Sequence, residues 1–342
     1  MRALQVNEWA PFDEVPFVEI DKPAPGPGEL LIRTQAAGVS FATSLVVQGK
    51  YQRRPPLPFT PGTEIAGIVE QVGPGSARFE PGDRICAVLD WGALGEYAIA
   101  KEVNSFALPA TLSFPRAICF TNSYATSAAA LTWPHLLNLQ PTQTLLVHGA
   151  SGGVGIAAVE IAKIVGANVI ATAGSSEKLQ IAKRHGADHL INYREQDFRQ
   201  LALELTDGRG VNAVYDPVGG DVFMQSLRCL APEGRICPIG FAGGEIPQIP
   251  ANLLLVKNLI VCGFNMGWYF GWSPHDARYE CEPIMRELMT QLFDWFGSGG
   301  INPRVDKTYQ LDAVHQAMTD ILARRTVGRV AVVMNEEAGA TS

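Results

Sequence analysis

An apolar run, Leu145-Leu146-Val147, leads into His148-Gly149-Ala150-Ser151-Gly152-Gly153-Val154-Gly155 and then into a helix-forming stretch that ends near Lys163. Glycines at 149, 152 and 155 make a GxxGxxG loop between a strand and a helix. Such a loop brings the backbone of Gly149, Ser151, Gly152, Gly153, Val154 and Gly155 close to a pyrophosphate at the helix N-terminus. The motif alone is weak evidence, but a second strand, 168–173, follows Gly166. The complete βαβ unit points to a dinucleotide site.

With 342 residues the chain is long for one core, since domains usually hold roughly 100–200 residues. Up to about residue 120, short strands alternate with Pro and Gly clusters such as Pro23-Ala24-Pro25-Gly26-Pro27-Gly28, which suggests a β-rich unit. From 122 the pattern changes to helices and strands in alternation. After the βαβ unit come a helix over 177–185, a strand over 189–192, a helix over 198–206, and strands over 211–216, 234–239 and 259–264. This alternation predicts an α/β fold with a doubly wound parallel sheet. An amphipathic segment follows over 283–296, then a strand over 305–309, a helix over 311–323 and an apolar strand over 329–334. That last strand needs a sheet to join, and the β-rich unit is the natural host. The predicted organisation is 1–121, the first part of a catalytic domain; 122–266, the dinucleotide domain; and 267–342, the return to the catalytic domain. The last eight residues read as disordered.

A net charge of −7, with no basic block longer than Arg53-Arg54 and Arg324-Arg325, argues against a nucleic-acid partner. Cys86, Cys119, Cys229, Cys237, Cys262 and Cys281 form no CxxC pair and read as reduced thiols. The N-terminal residues lack the apolar region of a signal peptide, and no apolar run approaches membrane-spanning length. A cytoplasmic protein without a membrane partner is expected.

Several segments carry a resemblance: Gly38-Val39-Ser40-Phe41, Gly49-Lys50-Tyr51 with Pro56-Leu57-Pro58-Phe59-Thr60-Pro61-Gly62, Pro81-Gly82-Asp83-Arg84, Gly95-Glu96-Tyr97-Ala98, the glycine loop, Asp216-Pro217-Val218-Gly219-Gly220 and Gly328-Arg329-Val330. In their order and spacing they resemble the zinc-independent quinone oxidoreductase branch of the medium-chain dehydrogenase/reductase superfamily, over nearly the whole chain. The resemblance implies a GroES-like catalytic domain with a Rossmann domain inserted in it and the active site in the cleft between them. Ser40, Thr43 and Leu45 depart from the Asn, Asp and Tyr usual in that branch, and Glu160 stands in place of Gln.

NAD-binding domains place an acid about 20 residues past the glycine loop, on the adenosine ribose. Thr172-Ala173-Gly174-Ser175-Ser176-Glu177-Lys178 has no acid at the strand end. Ser175, Ser176 and Lys178 suit a 2′-phosphate, so NADPH is the expected cofactor; helix capping by the two serines is compatible with this. The resemblance adds Tyr193 on the adenine side, Arg324 near the phosphate and Thr126 near the nicotinamide-side phosphate.

Zinc-dependent relatives use a Cys near the position of Phe41 or Ala42 and a His just before Glu64, where this chain has Thr63. No set of zinc ligands can be assembled, so metal-independent chemistry is expected. Glu64 reads as a structural acceptor and His148 as a structural histidine. Without a Lewis acid, reduction of an electrophilic acceptor is favoured over alcohol oxidation. The acceptor would be a quinone or an alkene conjugated to a carbonyl. The resemblance puts Tyr51 on the catalytic-domain loop that faces the cofactor, which makes it the candidate hydrogen-bond donor or proton source, with packing under the proline-rich loop as the alternative. Ser40 and Thr43 would orient substrate or the nicotinamide ribose. Gly240, Phe241, Phe264 and Met266 lie on loops after strands and would shape the nicotinamide pocket; Phe264 and Met266 would otherwise belong to a dimer edge. A homodimer through the edge of the Rossmann sheet is expected. Two rival functions stay open: an enoyl or acryloyl-type reductase, motivated by Arg53 and Arg54 as partners for an anionic substrate, and a noncatalytic NADPH-binding protein.

Overall fold

The computed structural model describes residues 1–334 and divides the chain into two compact units. The predicted disordered tail lies outside the described residues. One unit comprises Met1–Asn122, Met266–Phe293 and the residues from Pro303 on; the other comprises Ser123–Asn265 and Asp294–Asn302.

The first unit opens with β1 (Arg2–Leu4) and β2 (Phe17–Glu19), an antiparallel pair. Its main sheet starts with β3 (Glu29–Val39), β4 (Glu64–Val72), β5 (Arg84–Val88), β6 (Tyr97–Lys101) and β7 (Ser105–Ala107). The central strand, β3, pairs antiparallel with both β4 and β6 and is buried along nearly its whole length. Leu30, Ile32, Ile65, Ile85 and Leu94 fill the core behind it.

The second unit holds β8 (Thr144–Val147), β9 (Asn168–Ala173), β10 (His189–Asn192), β11 (Val211–Asp216), β12 (Leu230–Pro238) and β13 (Ile260–Val261). They form one parallel sheet in the order β10-β9-β8-β11-β12-β13. The order reverses direction between β8 and β11, which is where such sheets bind ligands, beyond the carboxyl ends of the strands. Leu146, Ile170, Val214, Phe223, Leu227 and Ile236 make its core.

Back in the first unit, β14 (Val305–Gln310) runs parallel to β15 (Arg329–Val333), and β15 pairs antiparallel with β3 from Val330↔Val39 to Val333↔Ala36. The full order there is β14-β15-β3-β4-β5-β7.

The predicted divisions at 121/122 and 266/267 fall one residue away from those of the compact units. A further segment, Asp294–Asn302, returns to the second unit. Its anchors are local: Asn302 N–H donates to Glu160 at 3.0 Å, and Gly300 packs beside Ile164. The segment predicted to begin at 283 is a longer helix, Arg278–Gly297, with Pro283 inside it. Proline at position 283 reads as a helix start because it has no N–H to donate, yet an extra turn precedes it. The strand predicted over 259–264 pairs only at Ile260–Val261, since it is an edge strand with one neighbour.

Candidate functional site

In the second unit the loop after β8 is shaped by close backbone approach. Gly149 has φ 56°, its carbonyl accepts from Gly152 N–H at 2.9 Å, and a Cβ on Gly155 would lie 2.3 Å from that carbonyl oxygen. Only glycine fits at 155, so the helix Gly153–Val165 can start directly beneath the loop. Ser151 is buried beside Gly152 and Gly153. Val154 is tied down because its carbonyl accepts from Ser127 Oγ at 2.9 Å, and Ser127 in turn meets the Tyr215 hydroxyl at 2.8 Å. Thr126, buried, precedes Ser127 on the helix Ala125–Thr132, so that helix is fastened to the glycine loop.

The loop after β11 meets the glycine loop: Pro217 lies 3.4 Å from a Cβ placed on Gly149. Asp216 accepts from the N–H groups of Val218 and Gly219 at 2.7 and 3.2 Å, and burial pushes its carboxyl up to about 6. Phe241, just past Gly240 on the loop after β12, packs against Gly219. Phe264 meets the Trp133 ring edge-on at 6.2 Å. Met266 falls in the first unit, not in the dinucleotide domain where the sequence reading placed it, because it opens the short helix Met266–Tyr269.

His148 lies beside the glycine loop, fully buried, with Nδ1 2.9 Å from Thr172 Oγ1 and Nε2 2.8 Å from Ser226 Oγ. Ser226 donates its one proton to the Val222 carbonyl, so Nε2–H must donate to Ser226 and Nδ1 must accept from Thr172. Burial lowers its pKa to about 3, and a neutral ring with both nitrogens spoken for braces β8, β9 and the helix Gly220–Cys229.

At the end of β9, Ser175 caps the helix Ser176–Arg184, accepting from Lys178 N–H at 3.4 Å. Ser176 is exposed and Lys178 half-buried. Tyr193 and Arg194, just past β10, fold back over Gly174: a Cβ there would lie 2.7 Å from Tyr193 Oη and 3.1 Å from Arg194 Nε. Ser175, Ser176, Lys178 and Tyr193, the expected cofactor residues, lie in the segments that follow β9 and β10; Arg194, a cation directly after β10, joins them there and is not singled out by the sequence analysis. Arg324 belongs to the first unit, following the helix Val314–Leu322 with φ 56°.

The first unit has a partly open hollow of about 60 Å³, and Ser40, Thr43 and Tyr51 line it together. Ser40 follows β3 and caps the short helix Phe41–Val47; its N–H donates to Thr43 Oγ1 at 3.4 Å, and the two hydroxyls are 3.4 Å apart. Tyr51 is half-buried, which raises its pKa further above the ordinary phenol value. On the opposite chemistry, Glu64 starts β4 with 3 % exposure and is fully engaged. It accepts from Asn122 Nδ2 at 2.7 Å and forms a buried ion pair with Arg329 of β15. A Cβ on Gly38 would meet both partners of that pair within 3 Å, so the glycine makes room for it. Asn122 comes from a π-helical turn, Phe120–Tyr124, a distortion that no periodicity in the sequence announces.

Asp90, Trp91 and Trp272 also line the hollow and are not singled out by the sequence. Arg53, expected to meet an anionic substrate, is committed elsewhere: its Nη2 pairs with Asp90 at 3.0 Å and its Nη1 donates to the Asp90 carbonyl at 2.9 Å. The attraction of a neighbouring carboxylate and two indole faces outweighs leaving it in the open.

Metal ligands do not assemble. Among the described residues no group of three or more His, Cys, Asp or Glu side chains is placed to hold a metal ion, and all six cysteines are buried and unbridged. In the hollow, the donors are hydroxyls, an amide and carboxylates already paired, which does not fit zinc. No helix among the described residues is long and apolar enough to cross a membrane.

Comparison with known proteins gives two family models: "Alcohol dehydrogenase GroES-like domain" over residues 26–110 and "Zinc-binding dehydrogenase" over 153–281. The chain is 39% identical over 310 residues to the quinone oxidoreductase-like protein 2 homolog of Nematostella vectensis, covering 90% of this chain and 82% of the relative. Its fold matches the Escherichia coli quinone oxidoreductase complexed with NADPH with a TM-score of 0.88 at 28% identity, over 98% of this chain and all (100%) of that one. A 2-haloacrylate reductase matches with a TM-score of 0.82 at 28% identity, over 98% and 100%.

Proposed function

Since the chain belongs to the zinc-independent quinone oxidoreductase branch of the medium-chain dehydrogenase/reductase superfamily and is an oxidoreductase with its GroES-like and Rossmann-like domains, we propose that it is an NADPH-dependent reductase of quinones or α,β-unsaturated carbonyls. The observation that carries this reading is the donor set of the hollow: neutral hydroxyls of Ser40, Thr43 and Tyr51, beside a glutamate already neutralised by Arg329. Neutral donors suit an acceptor whose oxygen gains charge as hydride reaches its carbon.

The residues present fit the cofactor. Gly149 to Gly155 give the close backbone approach that a pyrophosphate needs, and no acid closes β9. Tyr193 and Arg194 lie against Gly174, and Ser175 and Lys178 follow it at the start of the next helix; there a 2′-phosphate and an adenine would be held. Thr126, Gly240, Phe241, Phe264, Met266 and Arg324 are the further cofactor contacts that we assign. When bound, NADPH supplies the hydride. Tyr51, its pKa raised by burial, donates a hydrogen bond or the proton to the acceptor oxygen, while Ser40 and Thr43 orient the acceptor.

The likeness to a 2-haloacrylate reductase favours one alternative substrate class, the activated acids and thioesters of an acrylate-type reductase. Oxidation of NADPH, followed at the nicotinamide absorbance, separates the two when phenanthrenequinone, menadione, cyclohexenone, chloroacrylate and a crotonyl thioester are compared with a chelator present. We expect chelator-resistant turnover with the quinones and the enone. Turnover confined to chloroacrylate or the thioester replaces that reading with the alternative, and binding of NADPH without turnover on any acceptor turns it into a noncatalytic one.

We also propose a homodimer through the β13 edge. The neighbouring helix Ala251–Lys257 buries none of its side chains, and Leu255 and Val256 are each 77% exposed on it.

A further inference from the structure

Trp272 lines the same hollow as Tyr51, Ser40 and Thr43, yet its indole Nε1 is buried with no hydrogen-bond partner among the described residues. A buried donor left unpaired costs about 1–3 kcal/mol, so a native site that keeps one calls for an explanation. The nearby polar groups do not provide it. Both carboxylates on the hollow are spent, Glu64 on Arg329 and Asn122, and Asp90 on Arg53 and Arg278.

The ring is held in place by its neighbours. The Arg53 guanidinium lies 5.5 Å from the centre of the Trp272 ring and 5.4 Å from that of Trp91. Asp90 fixes Arg53 and is itself fixed by Arg278, 4% exposed, at 3.0 Å; Arg278 also grips Asp276 at 2.7 Å. The backbone of the segment is pinned as well, since Trp272 N–H donates to the Gly267 carbonyl at 2.8 Å and Asn104 Nδ2 to the Phe270 carbonyl at 3.1 Å. A donor oriented this firmly costs little further order when a partner arrives.

An indole N–H can only donate, so its complement is an oxygen acceptor. The hollow, at about 60 Å³, admits the carbonyl end of a small molecule. We propose that Trp272 binds the carbonyl oxygen of the acceptor through its indole N–H, and so selects carbonyl-bearing acceptors. The proposal rests on the reductase reading for its kinetic consequence, but the binding it asserts can be observed without turnover.

The test uses full-length protein with nitrogen-15 in its indoles. The Trp272 N–H resonance is identified by its loss in Trp272→Phe, which keeps an aromatic face for Arg53, or in Trp272→Tyr if the first variant fails to fold. Cyclohexenone is then titrated without NADPH, with cyclohexene as the control that lacks the oxygen. We expect a saturable downfield shift with cyclohexenone and none with cyclohexene. Trp272→Phe should lower kcat/KM for cyclohexenone roughly ten- to hundredfold with the KM for NADPH unchanged. Turnover of cyclohexenone by the native enzyme with no movement of the resonance overturns the role of Trp272 and leaves the reductase reading standing. A saturable shift without turnover on any acceptor supports the carbonyl site and removes the reductase reading; neither shift nor turnover removes both.

Discussion

Glu64 and Arg329 set two charges in a spot with less than a tenth of either side chain in contact with solvent, and their geometry decides what each contributes. A buried pair of this kind is not a large net source of stability, because both ions lose their hydration; breaking it is costly, because one charge is left alone. We expect Arg329→Met to destabilise the protein by about 3–5 kcal/mol, read by urea unfolding, since Asn122 alone would then face the carboxylate. The double variant Glu64→Leu with Arg329→Met should lie closer to the native protein than Arg329→Met does. Losses that simply add would show that the two side chains do not act as a pair. Because Glu64 lines the hollow and also accepts from Asn122, the pair fixes that part of its wall.

Among the elements, β9, β10 and the turns that follow them build the corner over Gly174. With Arg194 over that corner, Lys178 on the helix after β9 and no acid at the end of β9, we expect Lys178→Ala with Arg194→Ala to weaken NADPH binding by about 1–3 kcal/mol and to spare NADH, measured by titration calorimetry. Equal losses for both cofactors would reject the phosphate assignment. The same elements show what a sequence makes legible. β8 through β12 and the helices between them repeat a strand-helix alternation with glycines at the turns, and that pattern survives without tertiary information. Ser40, Thr43 and Tyr51 were legible because they flank recognisable Gly segments near β3. Trp272, Asp90 and Asn122 were not: they reach the hollow from an irregular segment, a strand end and a π-helical turn, where no period links one residue to the next. The ion pair of Arg53 was not legible for a related reason, since its partner Asp90 is 37 residues away along the chain.

For the molecule as a whole, the exposed apolar face of the helix Ala251–Lys257 beside the edge strand β13 leads us to expect a dimer. Leu255→Glu with Val256→Glu should convert it to a monomer in sedimentation experiments without loss of secondary structure; a native protein that sediments as a monomer would refute the assignment. The path of the chain has another consequence, for how the protein is made. The second unit's sheet is built from one uninterrupted stretch, β8 to β13, so all its strands leave the ribosome together. The first unit's central strand, β3, has one flank assigned to β15, which is synthesised only after the whole second unit. Until then Val39, Gly38, Ala37 and Ala36 hold an open, apolar ledge, and the half of the protein begun first is finished last.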